Sequence, residues 1–188
     1  APTYAQAKRI AFQYLEEYTR PLGGIVNIAE LRVDFMGRRI SLFGADNPDS
    51  LRGIYLDGVV IDEVGDVSPS LFTNVIRPAL ADRIGWALFI GTPKGATFFK
   101  ELRDRADNEK DKTWGLIEFK ASETGILDQA ELDAARQEMG DYRYMQEFEC
   151  SFDAPIVGSY YGELLQKLTK DNHVRQIHYN GLCQSDVF

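Results

Sequence analysis

Apolar residues recur at two different spacings along this 188-residue chain, and each spacing predicts its own kind of element. Near the start, Ala7, Ile10, Ala11, Tyr14, Leu15 and Tyr18 follow a helical period, and Thr3 with Gln6 makes a capping-box pair ahead of them. Pro21, Gly23 and Gly24 end that helix. Leu31, Val33 and Phe35 then alternate with Arg32 and Asp34, and residues 39–43 follow a Met36-Gly37 step, which predicts two strands joined by a tight turn. Residues 44–53 gather Asp46, Asn47, Pro48, Asp49 and Ser50, the composition of a loop with one helical turn in it.

The middle of the chain changes rhythm. Val59, Val60 and Ile61 are three β-branched residues in a row, predicting a strand buried on both faces of a parallel sheet. Ser68-Pro69 opens a helix carrying Leu71, Phe72, Val75, Ile76 and Leu80, with a bend expected at Pro78. Residues 86–90 predict a second buried strand, 96–106 a helix, and 113–119 a third strand. Asp128 with Glu131 caps the helix after that, with Leu127 and Leu132 as its hydrophobic staple. Strand and helix thus alternate three times, the signature of an α/β domain with a largely parallel sheet flanked by helices. After Cys150 the pattern loosens, apart from a short amphipathic helix at 163–168. Residues 1–150 read as the domain body and 151–188 as a linker or arm.

Composition narrows the function. Hydrophobic content of 44% suits a soluble globular domain, and no apolar run approaches the roughly 18 residues of a membrane span. The two cysteines, Cys150 and Cys183, are too few for a disulfide framework. A net charge of −8 argues against a stretch that grips a nucleic-acid backbone by itself. The chemistry concentrates where Ile61 gives way to Asp62 and Glu63, at the C-terminal edge of a parallel strand, where α/β proteins collect their ligands. An aspartate there can hold Mg²⁺ through its waters, and the adjacent glutamate can orient or deprotonate an attacking water, as in a Walker B motif. The plain alternative is a strand ending in two solvated acids. The next strand ends in Gly91-Thr92-Pro93-Lys94-Gly95, where the Thr92 hydroxyl could sense a γ-phosphate or its water; here the alternative is an ordinary strand-to-helix turn.

Two other clusters have chemical potential. Cys150, His173, His178 and Cys183 could form a zinc set but lack close pairing, and Asp57, Asp62, Glu63 and Asp66 could form a two-metal nuclease cluster.

Five segments, taken in order, resemble the large terminase subunit of tailed bacteriophages. They are Ala1-Pro-Thr-Tyr-Ala-Gln-Ala-Lys8, Leu51-Arg-Gly53, Asp57-Gly-Val-Val-Ile-Asp-Glu63, Gly91-Thr-Pro-Lys-Gly95 and Gln146-Glu-Phe-Glu-Cys-Ser-Phe152. The resemblance implies a P-loop NTPase-like fold of the ASCE kind and an ATPase, using ATP and Mg²⁺, that drives double-stranded viral DNA into a procapsid. It implies Asp62 at the metal, Glu63 as catalytic base, Thr92 in a coupling motif and Arg52 as a finger reaching a neighbouring subunit's nucleotide. It also implies a homo-oligomeric ring working with portal protein and small terminase subunit in the host cytoplasm, away from membranes, and a nuclease domain beyond Phe188. The 188 residues contain no Gly-x-x-x-x-Gly-Lys-Ser/Thr phosphate loop. The chain therefore reads as the C-terminal portion of the ATPase domain without its phosphate-loop portion, inactive alone. A helicase-like ATPase and a non-catalytic docking module for phage assembly are the alternatives.

Overall fold

A computed structural model describes residues 1–95, 97–108, 111–152 and 161–173. The first helix starts as its sequence predicts. The Gln6 amide donates to the Thr3 hydroxyl at 3.2 Å, and the Thr3 amide donates to the Gln6 side chain at 3.1 Å. The helix then passes through a π-helical turn at Ala7–Ala11 before continuing as Phe12–Thr19. That wider turn shifts the periodicity by one residue. Ala7, Phe12 and Thr19 are consequently the buried positions, whereas Ile10, Tyr14 and Tyr18 are 55%, 55% and 69% exposed. The face expected from a 3.6-residue period is therefore turned largely to solvent.

Phe12 packs with Leu31 and Val33 in a small core over an antiparallel sheet of β1 (Ile25–Asn27), β2 (Arg32–Phe35) and β3 (Arg38–Ser41). Met36 and Gly37 make the predicted turn between β2 and β3 with φ of +50° and +72°, the left-handed pair that a type I′ hairpin requires. A 3₁₀ turn at Pro48–Leu51 supplies the helical turn expected in the following loop.

The larger core surrounds a parallel pair, β4 (Gly58–Ile61) and β5 (Trp86–Phe89), in the register Val59↔Ala87 and Ile61↔Phe89. The helical run at 69–81 connects them, beginning with Pro69 in its first turn. A π-helical turn at Phe72–Ile76 precedes Pro78, so the irregularity expected at that proline falls one turn earlier. Leu51, Ile61, Val64, Leu71, Val75, Ile76, Leu80 and Leu102 are buried together here.

Two expectations fail in this region. β4 is covered on one face only: Val60 is 49% exposed, and on the neighbouring segment Trp86, Leu88 and Ile90 are 59%, 48% and 45% exposed. A β-branched run cannot say whether both faces have neighbours, and among the described residues one apolar face of the pair is bare. Residues 113–119 join no strand ladder. Trp114 stacks on Phe89 with centroids 5.8 Å apart, but Ile117 and Phe119 are 78% and 75% exposed. Among the described residues their β propensity finds no neighbouring backbone to pair with, and a strand exists only through such pairing.

Beyond this, Asp128 caps the helix Gln129–Met139 by accepting from the Glu131 amide at 2.8 Å, as the sequence predicts. Glu149 accepts from the Ser122 hydroxyl at 2.6 Å and the Tyr144 hydroxyl at 3.2 Å, fastening the helix Asp141–Glu147 to the turn at Ala121–Thr124. The amphipathic helix expected at 163–168 forms over Gly162–Lys170. Most of the predicted arm, including His178 and Cys183, lies outside the described residues.

Candidate functional site

The site is built where the β4–β5 ladder ends. The Ile90 amide donates to the Ile61 carbonyl at 2.9 Å, which continues the parallel ladder one step past its last pair. A regular ladder would next bring the amide of residue 63 to the Ile90 carbonyl. The Val64 amide donates there instead, at 3.0 Å. One extra residue has been inserted, and Glu63 absorbs it with φ +50° and ψ +48°. A non-glycine residue in the left-handed region stores strain of about 1 kcal/mol or more, and such bulges recur where a side chain must be re-aimed. Glu63 is thus held out of strand geometry by a core residue on either side, Ile61 and Val64.

Gly91 makes this arrangement possible. A Cβ placed there would lie 3.3 Å from the Val64 amide nitrogen and 3.4 Å from the Glu63 Cα. The absence of a side chain lets the end of β5 press against the Glu63 backbone, and Thr92 follows directly. Lys94 crosses back over Gly65 and donates to the Asp66 carboxylate at 2.6 Å, closing the two loops on each other. The sequence marked Thr92 in this loop and offered Asp66 only as a member of a two-metal cluster, and it gave no separate role to Gly91 or Lys94. The short Gly91-to-Gly95 segment was the available signal, since two glycines flanking a lysine leave its loop free to approach a neighbour.

Asp62 is exposed, Glu63 and Thr92 are half-buried, and none of the three side chains makes a hydrogen bond or ion pair within the described residues. The Ala1 amine lies within electrostatic range of Asp62. Burial pushes the Ala1 amine below its ordinary range, opposed first by the Asp62 carboxylate and then by Asp46.

Arg52 stands apart from this group. Leu51 is 5% exposed and anchored in the same core as Ile61 and Val64, whereas the Arg52 side chain projects into solvent and donates to Asp49 at 2.7 Å. This is one of the local ion pairs that its sequence neighbourhood allows; Asp57 instead pairs with Arg83 at 3.2 Å. The two-metal alternative loses its geometry for the same reason. Asp57 and Asp66 are each tied to a cation, and no group of three or more ligating side chains able to hold a metal forms among the described residues. The proposed zinc set cannot be assembled there either, because two of its members lie outside those residues.

No protein-family model matches the chain. Over 101 residues it is 37% identical to the large terminase subunit of Thermus phage G20c, covering 53% of this chain and 20% of that protein. Over 143 residues it is 26% identical to the large terminase subunit of Escherichia phage T5, covering 75% and 32%. Its structure matches the large terminase ATPase domain of Thermus phage P74-26 with a TM-score of 0.62 and 26% identity, covering 80% of this chain and 74% of that one. The chain is similar to terminase large subunits. It spans a fifth to a third of the length of those two curated relatives, and its fold is the P-loop NTPase-like fold of the large terminase ATPase domain. The same fold recurs, at 17% identity and a TM-score of 0.62, in the large terminase of another thermophilic bacteriophage bound to ADP, with 80% of this chain and 39% of that one covered. A further structure of that terminase holds ATP-γ-S. Among the described residues no helix is long and apolar enough to cross a membrane.

Proposed function

We propose that residues 1–150 are the C-terminal portion of the ATPase domain of a viral DNA-packaging motor, with 151–188 leading toward a nuclease domain. The observation that carries this is the bulged end of β4, which sets Glu63 beside Gly91 and Thr92 at the C-terminal edge of the parallel pair. In this reading Glu63 holds and deprotonates the water that attacks the γ-phosphate of ATP. Asp62, a carboxylate without hydrogen-bond or ion-pair partners among the described residues, would hold Mg²⁺, which takes one or two carboxylates and keeps several waters. The metal would neutralise phosphate charge. Thr92 would relay the state of the nucleotide into the helix Phe98–Ala106. Arg52, exposed and three residues from its partner Asp49, would leave that pair to reach a neighbouring subunit's nucleotide in a homo-oligomeric ring.

The exposed apolar face formed by Val60, Trp86, Leu88 and Ile90 supports the rest of the reading. It is the surface on which the remaining part of an ATPase domain, with the phosphate loop absent from these residues, would pack. Nucleotide binding by the ADP- and ATP-γ-S-bound terminase supports ATP as the ligand. Double-stranded viral DNA is then the substrate of translocation, portal protein and small terminase subunit are the partners, and the host cytoplasm at the procapsid portal is the place of work. The net charge of −8 leaves DNA contact to other parts of the protein.

The test is a packaging assay with full-length large subunit, procapsids and linear DNA. ATP-dependent protection of DNA from nuclease supports the motor. A protein that binds procapsids yet neither hydrolyses ATP nor protects DNA supports the docking-module alternative. ATP-driven strand separation on forked DNA supports the helicase alternative.

A further inference from the structure

The parallel pair β4–β5 is clamped by an ion pair at each end. At the N-terminal end Arg83 meets Asp57 at 3.2 Å, with side chains 51% and 68% exposed. At the C-terminal end Lys94 meets Asp66 at 2.6 Å, with side chains 36% and 47% exposed. The two clamps join the same strands across similar spans of sequence, 26 and 28 residues. They differ in what lies beneath them. Arg83 rests over the exposed ring of Tyr55, 5.8 Å from its centroid, far along the strands from Glu63.

The stem of Lys94 instead runs over Gly65, whose absent Cβ would sit 3.4 Å from the lysine Cδ and 3.5 Å from its Cγ. Gly65 and Asp66 belong to the 3₁₀ turn that follows Glu63, and the Asp66 amide donates to the Glu63 carbonyl at 2.9 Å. Pulling Asp66 toward Lys94 therefore pulls on the left-handed residue itself. Beside that ion pair, the backbone ties between the two segments are the Ile90–Ile61 hydrogen bond before Glu63 and the Val64–Ile90 hydrogen bond directly after it. Glu63 thus sits between a fixed point at Ile61 and a following turn that is held at Val64 by a backbone bond and at Asp66 by the Lys94 strap.

We propose that Lys94, through Asp66, is a positioning residue for Glu63: the ion pair sets the spacing between the Glu63 turn and the Thr92 loop. This rests on the reading of Glu63 as the catalytic base. A strap of this kind acts on the chemical step rather than on nucleotide affinity. Lys94 and Asp66 act as one unit, so that losing either has the same effect as losing both. The partly exposed pair also contributes little to overall stability.

The experiment is steady-state ATP hydrolysis by full-length subunit under packaging conditions, with Lys94→Met, Asp66→Asn, the double variant, Lys94→Arg, Arg83→Met and Glu63→Gln compared. A displacement of part of an ångström at a catalytic group lowers turnover by about tenfold. Lys94→Met and Asp66→Asn should each lower kcat by about that factor with KM within about twofold of wild type, and the double variant should be no slower than the slower single one. Lys94→Arg should keep most of the rate, and Arg83→Met, which breaks the other clamp, should leave kcat and the melting temperature unchanged. The proposal is overturned if Lys94→Met and Asp66→Asn turn over like wild type while Glu63→Gln is inactive. It is equally overturned if Arg83→Met loses as much rate as Lys94→Met, which would make both clamps merely structural. A rise in KM for Lys94→Met alone, with Asp66→Asn normal, would mean that Lys94 binds phosphate directly. Should Lys94→Met fold poorly, the isosteric Asp66→Asn decides by itself. An active Glu63→Gln would remove the base assignment, and the strap with it.

Discussion

Gly91→Ala adds a single methyl group to a point where the structure has no room for one. The new Cβ would meet the Val64 amide nitrogen at 3.3 Å and the Glu63 Cα at 3.4 Å, both backbone atoms that cannot rotate away. Ordinary contact lies nearer 3.5–4.0 Å, so the Glu63 turn must retreat by a few tenths of an ångström. Gly91 is not among the glycines with positive φ, so alanine meets no backbone penalty there. Restricting the unfolded chain favours alanine by about 0.4–1 kcal/mol, which offsets much of the local strain. Stability should therefore change by less than about 1 kcal/mol. Catalysis has no such compensation. Since a misplacement of about 1 Å can cost on the order of a hundredfold in rate, a shift of a few tenths should lower kcat several-fold to tenfold. Gly91→Val, with two further methyl groups, should lose on the order of 1–3 kcal/mol as well as nearly all turnover. The assay is steady-state ATP hydrolysis by full-length subunit, paired with thermal melts of the same preparations. A Gly91→Ala protein with unchanged melting and full turnover would refute the argument that close approach at Gly91 places Glu63.

Other outcomes follow from the same geometry. Arg52→Ala, which removes an exposed side chain whose local partner is Asp49, should fold and bind nucleotide but lose hydrolysis by on the order of 10³-fold. Mixing it with Glu63→Gln subunits should restore part of the activity, and failure to rescue despite co-assembly would place the arginine's action within its own subunit. The isolated 188 residues should bind ATP–Mg²⁺ weakly or not at all, because no phosphate loop is present; micromolar binding by calorimetry that depends on Asp62 would contradict this. The hydrogen bond from Arg39, across the β2–β3 pair, holds the Asp34 carboxyl below its usual range. Its stabilising contribution is present above the ordinary aspartate pKa and is lost as pH falls through the lower folded value, so Arg39→Gln should flatten the acid limb of a melting profile below about pH 4. An unchanged acid limb would remove Asp34 from the proton balance of unfolding.

Local chemistry made much of this molecule legible in advance. Thr3 and Gln6, Met36-Gly37, Pro69 and Asp128 each specify a cap or turn through atoms within a few residues, and each behaves as its neighbourhood dictates. The strand leading into Asp62 and Glu63 was visible in the β-branched run, although the run alone left a plain strand end with two solvated acids as the alternative. What escaped depends on partners distant in sequence or on a change of period. The π-turn at Ala7–Ala11 rotates Ile10, Tyr14 and Tyr18 outward, and no side-chain periodicity announces it. Residues 113–119 have strand-like composition but no ladder partner, and Val60 lies on a face that nothing described covers. Gly91 and Lys94 act on atoms 27 or more residues away, which a linear pattern cannot display.

The most direct test of the central claim is the Glu63→Gln variant of the full-length large subunit. The amide keeps the size and shape of the carboxylate, so the left-handed turn and the Val64–Ile90 hydrogen bond should survive the change. ATP–Mg²⁺ affinity measured by calorimetry should stay within a few-fold of wild type, while DNA-dependent ATP hydrolysis falls by two orders of magnitude or more. Hydrolysis near the wild-type rate in a variant that binds nucleotide normally would contradict the account, because the base would then have to lie elsewhere in the protein.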